Sequence, residues 1–256
     1  MLLNYKSSSF YYTRQGNGNT LVLLHGFLEN QTMWDPFISQ LSNNHTVITI
    51  DLPGHGKSDC LGYIHTMELM AQVVQAVLLK ENISRAKFIG HSMGGYVALA
   101  FAEIFPENCT AIVLLNSTPK ADSAERKENR DRTIALVKKH KNVFLSMAIT
   151  NLFAEQNKEK FAHEIEVLKK DALKMKTQGI IAALEGMKIR KNRSHFLKKF
   201  DKIKIIIAGS LDPIMPVSEL KTIAETTNSR LIILNGGHMS TIENRPEMLN
   251  YMHFIE

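Results

Sequence analysis

Short apolar runs that end in polar residues recur along this chain with helical stripes between them, and that alternation limits the fold more than any other feature. Residues 21–24, 46–50, 88–89, 111–115, 203–207 and 231–234 read as strands buried on both faces. The first two end in His25 and Asp51. Between the runs, 37–41 fits a short helix, and 66–79 carries Met67, Met70, Val73, Val74, Val77 and Leu78 as one helical stripe. A further helix covers 94–105 and stops before Pro106. Such alternation predicts an α/β fold with a doubly wound, mostly parallel sheet, whose ligands bind at the carboxyl ends of the strands. Ahead of it, residues 1–12 read as a β-hairpin, with Tyr5, Phe10 and Tyr12 as strand formers and 7–9 as the turn.

After Pro119 the pattern changes to a helical, charged stretch without proline or a strand-like run. Because strand runs resume at 203, this stretch is expected to be a helical cap inserted in the core. The division is 1–118 and 198–256 for the core and 119–197 for the cap. A single domain of this kind suits 256 residues, 44% hydrophobic and 22% charged.

The net charge of +6 is concentrated in the inserted stretch, where 20 Lys plus Arg face 10 Asp plus Glu between Lys120 and Lys199. Lysines and glutamates interleave there, so a solvated helical surface is the plain reading. The functional alternative is a basic face for an anionic substrate or an acidic carrier protein. A nucleic-acid partner is not expected, since recognition motifs are absent and aromatic residues are sparse among the cations. No apolar run approaches the roughly 18–20 residues of a membrane span, and the first residues lack a basic then apolar leader, so a cytoplasmic location is expected. Cys60 and Cys109 are expected as free thiols. His45, His65, His140, His163, His195 and His253 show no paired ligand spacing, and no G-x-G-x-x-G follows a strand, so neither metal nor other cofactor is expected.

The chemistry is carried by Gly90-His91-Ser92-Met93-Gly94-Gly95, a G-x-S-x-G between a short strand and a helix. A serine on such a tight turn needs small neighbours two residues either way, hence Gly90 and Gly94. The following helix directs its N-terminal amides at the site, where they favour developing negative charge. In that context the chain resembles the α/β-hydrolase superfamily, with motifs spread from Leu21 to Pro246. The resemblance implies Ser92 as nucleophile. It also implies an oxyanion loop at His25-Gly26-Phe27, with the backbone amides of Phe27 and Met93 as donors. Phe27 has a structural reading too, as a pocket wall. The turn Asp51-Leu52-Pro53-Gly54-His55-Gly56-Lys57-Ser58 is similar to one that many members carry, and its composition is that of a fixed loop. It is not a phosphate loop, because Asp51 stands where the first glycine would be needed.

Gly209-Ser210-Leu211-Asp212-Pro213 is similar to the family's acid loop, and Gly236-Gly237-His238-Met239 to its histidine loop, in the order serine, acid, histidine. Alone, Asp212 could start a turn and His238 could be a loop histidine. The other acid position, after 111–115, holds Asn116 and Ser117, which carry no charge, so Asp212 is preferred. His25 and His91 are expected to hold loop backbone rather than transfer protons.

The function these residues imply is a serine hydrolase that cleaves a small-molecule carboxylic ester, thioester or lactone through an acyl-enzyme. Two alternatives share the triad: a lyase similar to the menaquinone-pathway synthase, and an esterase acting on a carrier-protein methyl ester. Either would draw an anionic substrate to the inserted stretch. A third, of another class, is a hydrolase-fold ligand sensor with slow turnover. Aspartate-nucleophile relatives such as haloalkane dehalogenases are excluded by Ser92.

Overall fold

In a computed structural model, which describes residues 1–253, the apolar runs become the strands of one eight-stranded sheet. They are β1 (Leu2–Tyr5), β2 (Ser8–Gln15), β3 (Asn19–Leu24), β4 (His45–Ile50), β5 (Ala86–His91), β6 (Cys109–Leu115), β7 (Ile203–Gly209) and β8 (Arg230–Leu234). Their order is β1-β2-β4-β3-β5-β6-β7-β8. The pairs β1–β2 and β2–β4 are antiparallel, and every pair from β4 through β3 to β8 is parallel.

Side chains alternate across the sheet, so each buried run feeds two cores. In β3, Leu21 and Leu23 pack on one face and Val22 and Leu24 on the other. The second face carries α2 (Met67–Lys80), α3 (Met93–Ile104) and α8 (Val217–Thr227). The first carries α1 (Asp35–Leu41) and α10 (Arg245–His253), through Phe37, Leu41 and Met248. Helix α2 starts where Thr66 Oγ1 accepts the Leu69 amide at 3.0 Å, and its stripe from Met67 to Leu78 is buried.

The hairpin turns one residue earlier than its composition suggests. Lys6 and Ser7 both take positive φ, +49° and +61°, which matches the twist of a two-residue turn and places Ser8 and Ser9 in β2. Between β6 and β7 lie α4 (Ala124–Thr150), α5 (Ala162–Leu173), α6 (Thr177–Lys188) and α7 (Ser194–Lys199), with no strand among the described residues. Helix α4 is broken at His140, whose φ of −140° and ψ of 49° leave the helical region. A four-residue helix, α9 (Ser240–Glu243), follows β8.

After β3 the chain crosses to β4 on one side, then returns to place β5 on the other. That reversal is the point where an open α/β sheet forms a crevice at its carboxyl ends. His25 and Ser92 follow the two strands that flank it. No described helix is long and apolar enough to cross a membrane, and both cysteines are free. Among the histidines set aside in the sequence, the side chain of His253 lies outside the described residues.

Candidate active site

Ser92 joins β5 to α3 with φ +50° and ψ −112°, a conformation that costs a non-glycine residue on the order of 1–3 kcal/mol. Packing on either side imposes it. A Cβ on Gly90 would stand 2.4 Å from the Gly94 carbonyl, and one on Gly94 would stand 2.3 Å from the Leu24 carbonyl oxygen. Backbone therefore fills both spaces, and only glycine fits. The turn is held by the Ser92 amide on the Leu115 carbonyl at 2.9 Å and by Ser117 Oγ on the Ser92 carbonyl at 2.7 Å.

Asp212 and His238 meet from the loops after β7 and β8, with Asp212 Oδ2 2.7 Å from His238 Nδ1. Oδ2 also accepts Asn116 Nδ2 at 2.9 Å, while Oδ1 accepts the amides of Ile214 and Met215 at 2.8 and 2.9 Å. Asp212 thus opens a turn and orients an imidazole at once. Burial pushes its pKa up, but the His238 charge and these hydrogen bonds outweigh it and hold the carboxyl below the usual carboxylate range. With Nδ1 bound to Asp212, His238 lines a cavity of about 450 Å³ together with Ser92 and Phe27. Ser92 and His238 both line that cavity, and among the described residues no hydrogen bond joins their side chains; such bonds are often long in free enzymes and tighten with substrate.

The backbone of His238 is fixed as firmly as its ring. Its amide donates to the Leu152 carbonyl at 2.8 Å, just past α4, and its carbonyl receives His91 Nε2 at 2.9 Å. Glu243 adds a tie to the same segment by accepting Asn157 Nδ2 at 2.6 Å. Neither the Phe27 nor the Met93 amide donates to a protein acceptor among the described residues. Met93 sits at the first turn of α3, where amides have no intrahelical partner.

His25 and His91 do hold loop backbone. His25 Nε2 accepts the Leu52 amide at 2.9 Å, which leaves the proton on Nδ1 to bond the Gly26 carbonyl at 2.8 Å. Burial lowers its pKa and keeps it neutral. His91 has in addition a carboxylate partner, Glu29, four residues past His25 and outside any motif. Asn116 and Ser117, unsuited to be the acid, turn out to steady the acid and the serine turn; their place at the end of β6 is the signal for that role. The turn after β4 is fixed by Asp51, whose carboxylate accepts the amides of Gln31 and Lys57, both at 2.8 Å.

The charge of the inserted stretch divides in two. Lys158–Glu155, Lys169–Glu166, Lys174–Asp171 and Arg132–Glu128 are local pairs on the helical surface. Arg126 and Arg130, by contrast, line the cavity wall together with Asn129 and Thr133. Behind them Asp122 is buried between Arg130 and Arg190, and Arg190 lies 4.1 Å over the Tyr96 ring. Among the described residues, no three His, Cys, Asp or Glu side chains gather as a metal would require.

A family model described as the alpha/beta hydrolase fold matches residues 19–245. The chain belongs to the α/β-hydrolase family. Among solved structures, the thermophilic esterase of Thermogutta terrifontis superposes with a TM-score of 0.92 at 26% identity, over 99% of this chain and 96% of that one. Among curated proteins, the pimeloyl-[acyl-carrier protein] methyl ester esterase of Aliivibrio salmonicida is 30% identical over 160 residues, 62% of this chain and 54% of that protein. A 2-hydroxy-6-oxononadienedioate/2-hydroxy-6-oxononatrienedioate hydrolase of Burkholderia vietnamiensis is 36% identical over 159 residues, 55% of this chain and 54% of that protein. The chain thus spans about half the length of these two curated relatives.

Proposed function

We propose that the chain is a serine hydrolase acting on a small-molecule carboxylic ester. The observation that carries this reading is the strained Ser92 turn facing the same cavity as an imidazole whose Nδ1 is bound 2.7 Å from Asp212. His238 Nε2 takes the Ser92 proton as Oγ attacks the ester carbonyl. The oxyanion forms against the unpartnered amides of Phe27 and Met93, and loss of one such donor costs on the order of 10²-fold or more. Collapse expels the alcohol, which takes the proton from His238. Water, giving its proton to His238, then attacks the acyl group, and collapse releases the acid as His238 returns that proton to Ser92 Oγ. The segment between β6 and β7 acts as a cap, since Phe144, Ala148, Leu152, Leu184 and Met187 supply an apolar cavity wall.

The test is hydrolysis of p-nitrophenyl esters from acetate to octanoate, beside Ser92→Ala. Turnover that vanishes in the variant, with Ser92 labelled by a fluorophosphonate in the wild type, is the expected result. Absent labelling refutes the nucleophile assignment.

A second reading concerns the substrate's far end. Arg130 is paired with Asp122, but Arg126 on the cavity wall has no carboxylate partner among the described residues, donating instead to the Ile214 carbonyl, and favours an ester that carries a carboxylate or is presented by an acidic carrier protein. Two relatives named for a carrier-protein ester and for dioates support it. Arg126→Gln is then expected to raise KM for a dicarboxylic hemiester and leave KM for the matching neutral ester unchanged.

A further inference from the structure

Glu29 and His91 take no part in the chemistry above, yet together they join three of the segments that do: the Gly26–Phe27 loop, the Ser92 turn and the His238 loop. Glu29 Oε2 accepts the Gly26 amide at 2.6 Å and faces His91 Nδ1 at 2.8 Å, while His91 Nε2 lies 2.9 Å from the His238 carbonyl oxygen. Both side chains are 1% exposed. A neutral imidazole has one N–H. Here Nε2 must donate to the His238 carbonyl, and against an ionised Glu29 the Nδ1 must donate as well, so the pair is an imidazolium neutralised by the Glu29 carboxylate. The titration directions agree. For each group burial opposes the charge, but mutual attraction outweighs it, raising the pKa of His91 and lowering that of Glu29.

The backbone is bent to allow this contact. Leu28 takes φ +66°, a left-handed conformation unfavourable to a branched side chain, and so turns Glu29 back beneath Gly26. A Cβ on Gly26 would stand 2.5 Å from Glu29 Oε2 and 2.7 Å from His91 Nδ1. Gly26 has no positive φ, so the ion pair rather than the backbone angle requires a glycine there.

We infer that the buried Glu29–His91 ion pair is a positioning device that locks the Gly26–Phe27 loop to the Ser92 turn and holds the His238 backbone at its carbonyl. The inference rests on the serine-hydrolase reading of the site. His238 is then held at three points: its ring by Asp212, its amide by Leu152 and its carbonyl by a charged donor. The other titratable groups facing His91 are His25, Asp212 and the His238 ring, whose centroid is 5.0 Å away. Loss of the His91 proton at alkaline pH would remove one of its two donors and loosen either the loop or the base.

Two measurements on the full chain test this. Nitrogen NMR of the imidazoles is expected to show both His91 ring nitrogens protonated at neutral pH in the wild type, and only one in Glu29→Gln. A neutral His91 in the wild type overturns the inference without reference to turnover, and also decides the matter if the variant does not fold. Kinetically, Glu29→Gln is expected to lower kcat about 10- to 100-fold, with KM changed by less than about 2-fold, because the damage is to alignment and not to substrate contacts. The double variant Glu29→Gln/His91→Gln should lose no more than the worse single variant. Additive losses, or a Glu29→Gln enzyme with full kcat, overturn the positioning role. Ser92→Ala run alongside keeps the two claims apart: turnover surviving there refutes the serine-hydrolase reading, while the nitrogen spectrum still tests the pair.

Discussion

Asp212→Asn exchanges one oxygen for an NH2 at nearly constant volume, and the donors around Asp212 dictate the consequence. Four N–H groups converge on the carboxylate, the Ile214 and Met215 amides on Oδ1 and those of Asn116 and His238 on Oδ2. An amide side chain has a single acceptor oxygen, so its NH2 must meet two of these donors whichever way it turns. If its oxygen keeps the backbone amides, the NH2 faces His238. The imidazole must then accept at Nδ1 and carry its proton on Nε2, where it cannot take the serine proton. If its oxygen turns to His238, the buried Met215 amide loses its acceptor at roughly 1–3 kcal/mol, the part-buried Ile214 amide loses its own, and the turn opens. The first arrangement keeps the fold, and its wrong tautomer is expected to cost on the order of 10⁴-fold in kcat, about 5.5 kcal/mol of transition-state stabilisation. The assay is kcat for a p-nitrophenyl ester, beside Ser92→Ala, with circular dichroism to confirm folding. A folded Asp212→Asn that keeps more than about a tenth of the wild-type kcat refutes Asp212 as the orienting acid.

Asp122→Ala leaves Arg190, whose side chain is 2% exposed, without its buried counter-charge. A loss of about 3 kcal/mol or more, and a fall of roughly 6–12 °C in Tm by calorimetry, is expected; an unchanged Tm refutes the pairing. The Asp122 pKa is pushed up by burial but held low overall by Arg130 and Arg190, so this stabilisation is present above the ordinary carboxylate pKa and disappears as pH falls through the folded-state value. His65 adds a pH dependence of the same sign. Burial lowers its pKa from 6.5 to about 4, so the unfolded chain binds its proton first, and Tm should fall as pH drops through that window. His65→Gln, which can still accept the Leu61 amide, should flatten the slope, and equal slopes for both proteins count against a neutral buried His65. Gly94→Ala places a Cβ 2.3 Å from the Leu24 carbonyl oxygen and must shift the Ser92 turn, so fluorophosphonate labelling should slow by about 100-fold; normal labelling refutes the packing argument.

The candidate site was legible where chemistry demands a residue type at a fixed place in the alternation. Ser92 with Gly90 and Gly94 leaves a local signature because backbone contacts within a few residues forbid side chains there. Asp212 and His238 could be read because each follows a strand run directly. Glu29 left no such trace. It matters only because the left-handed turn at Leu28 returns its carboxylate to His91, a residue 62 positions away. Nor could sequence choose among the arginines of the inserted stretch, since all sit amid interleaved charges. Packing of α4 divides them into surface pairs such as Arg132–Glu128 and cavity residues such as Arg126.

The sequence by itself determined the α/β alternation, the parallel sheet and the serine turn, because these follow from the period of apolar residues and from steric limits over a few neighbouring positions. Tertiary structure alone decided that Asn116 steadies the acid, that Leu152 and His91 grip the His238 backbone, and that a buried ion pair joins two loops. Those contacts depend on how the ends of β3, β5, β6 and β8 are brought side by side by strand order, and strand order is a long-range property that no local pattern encodes.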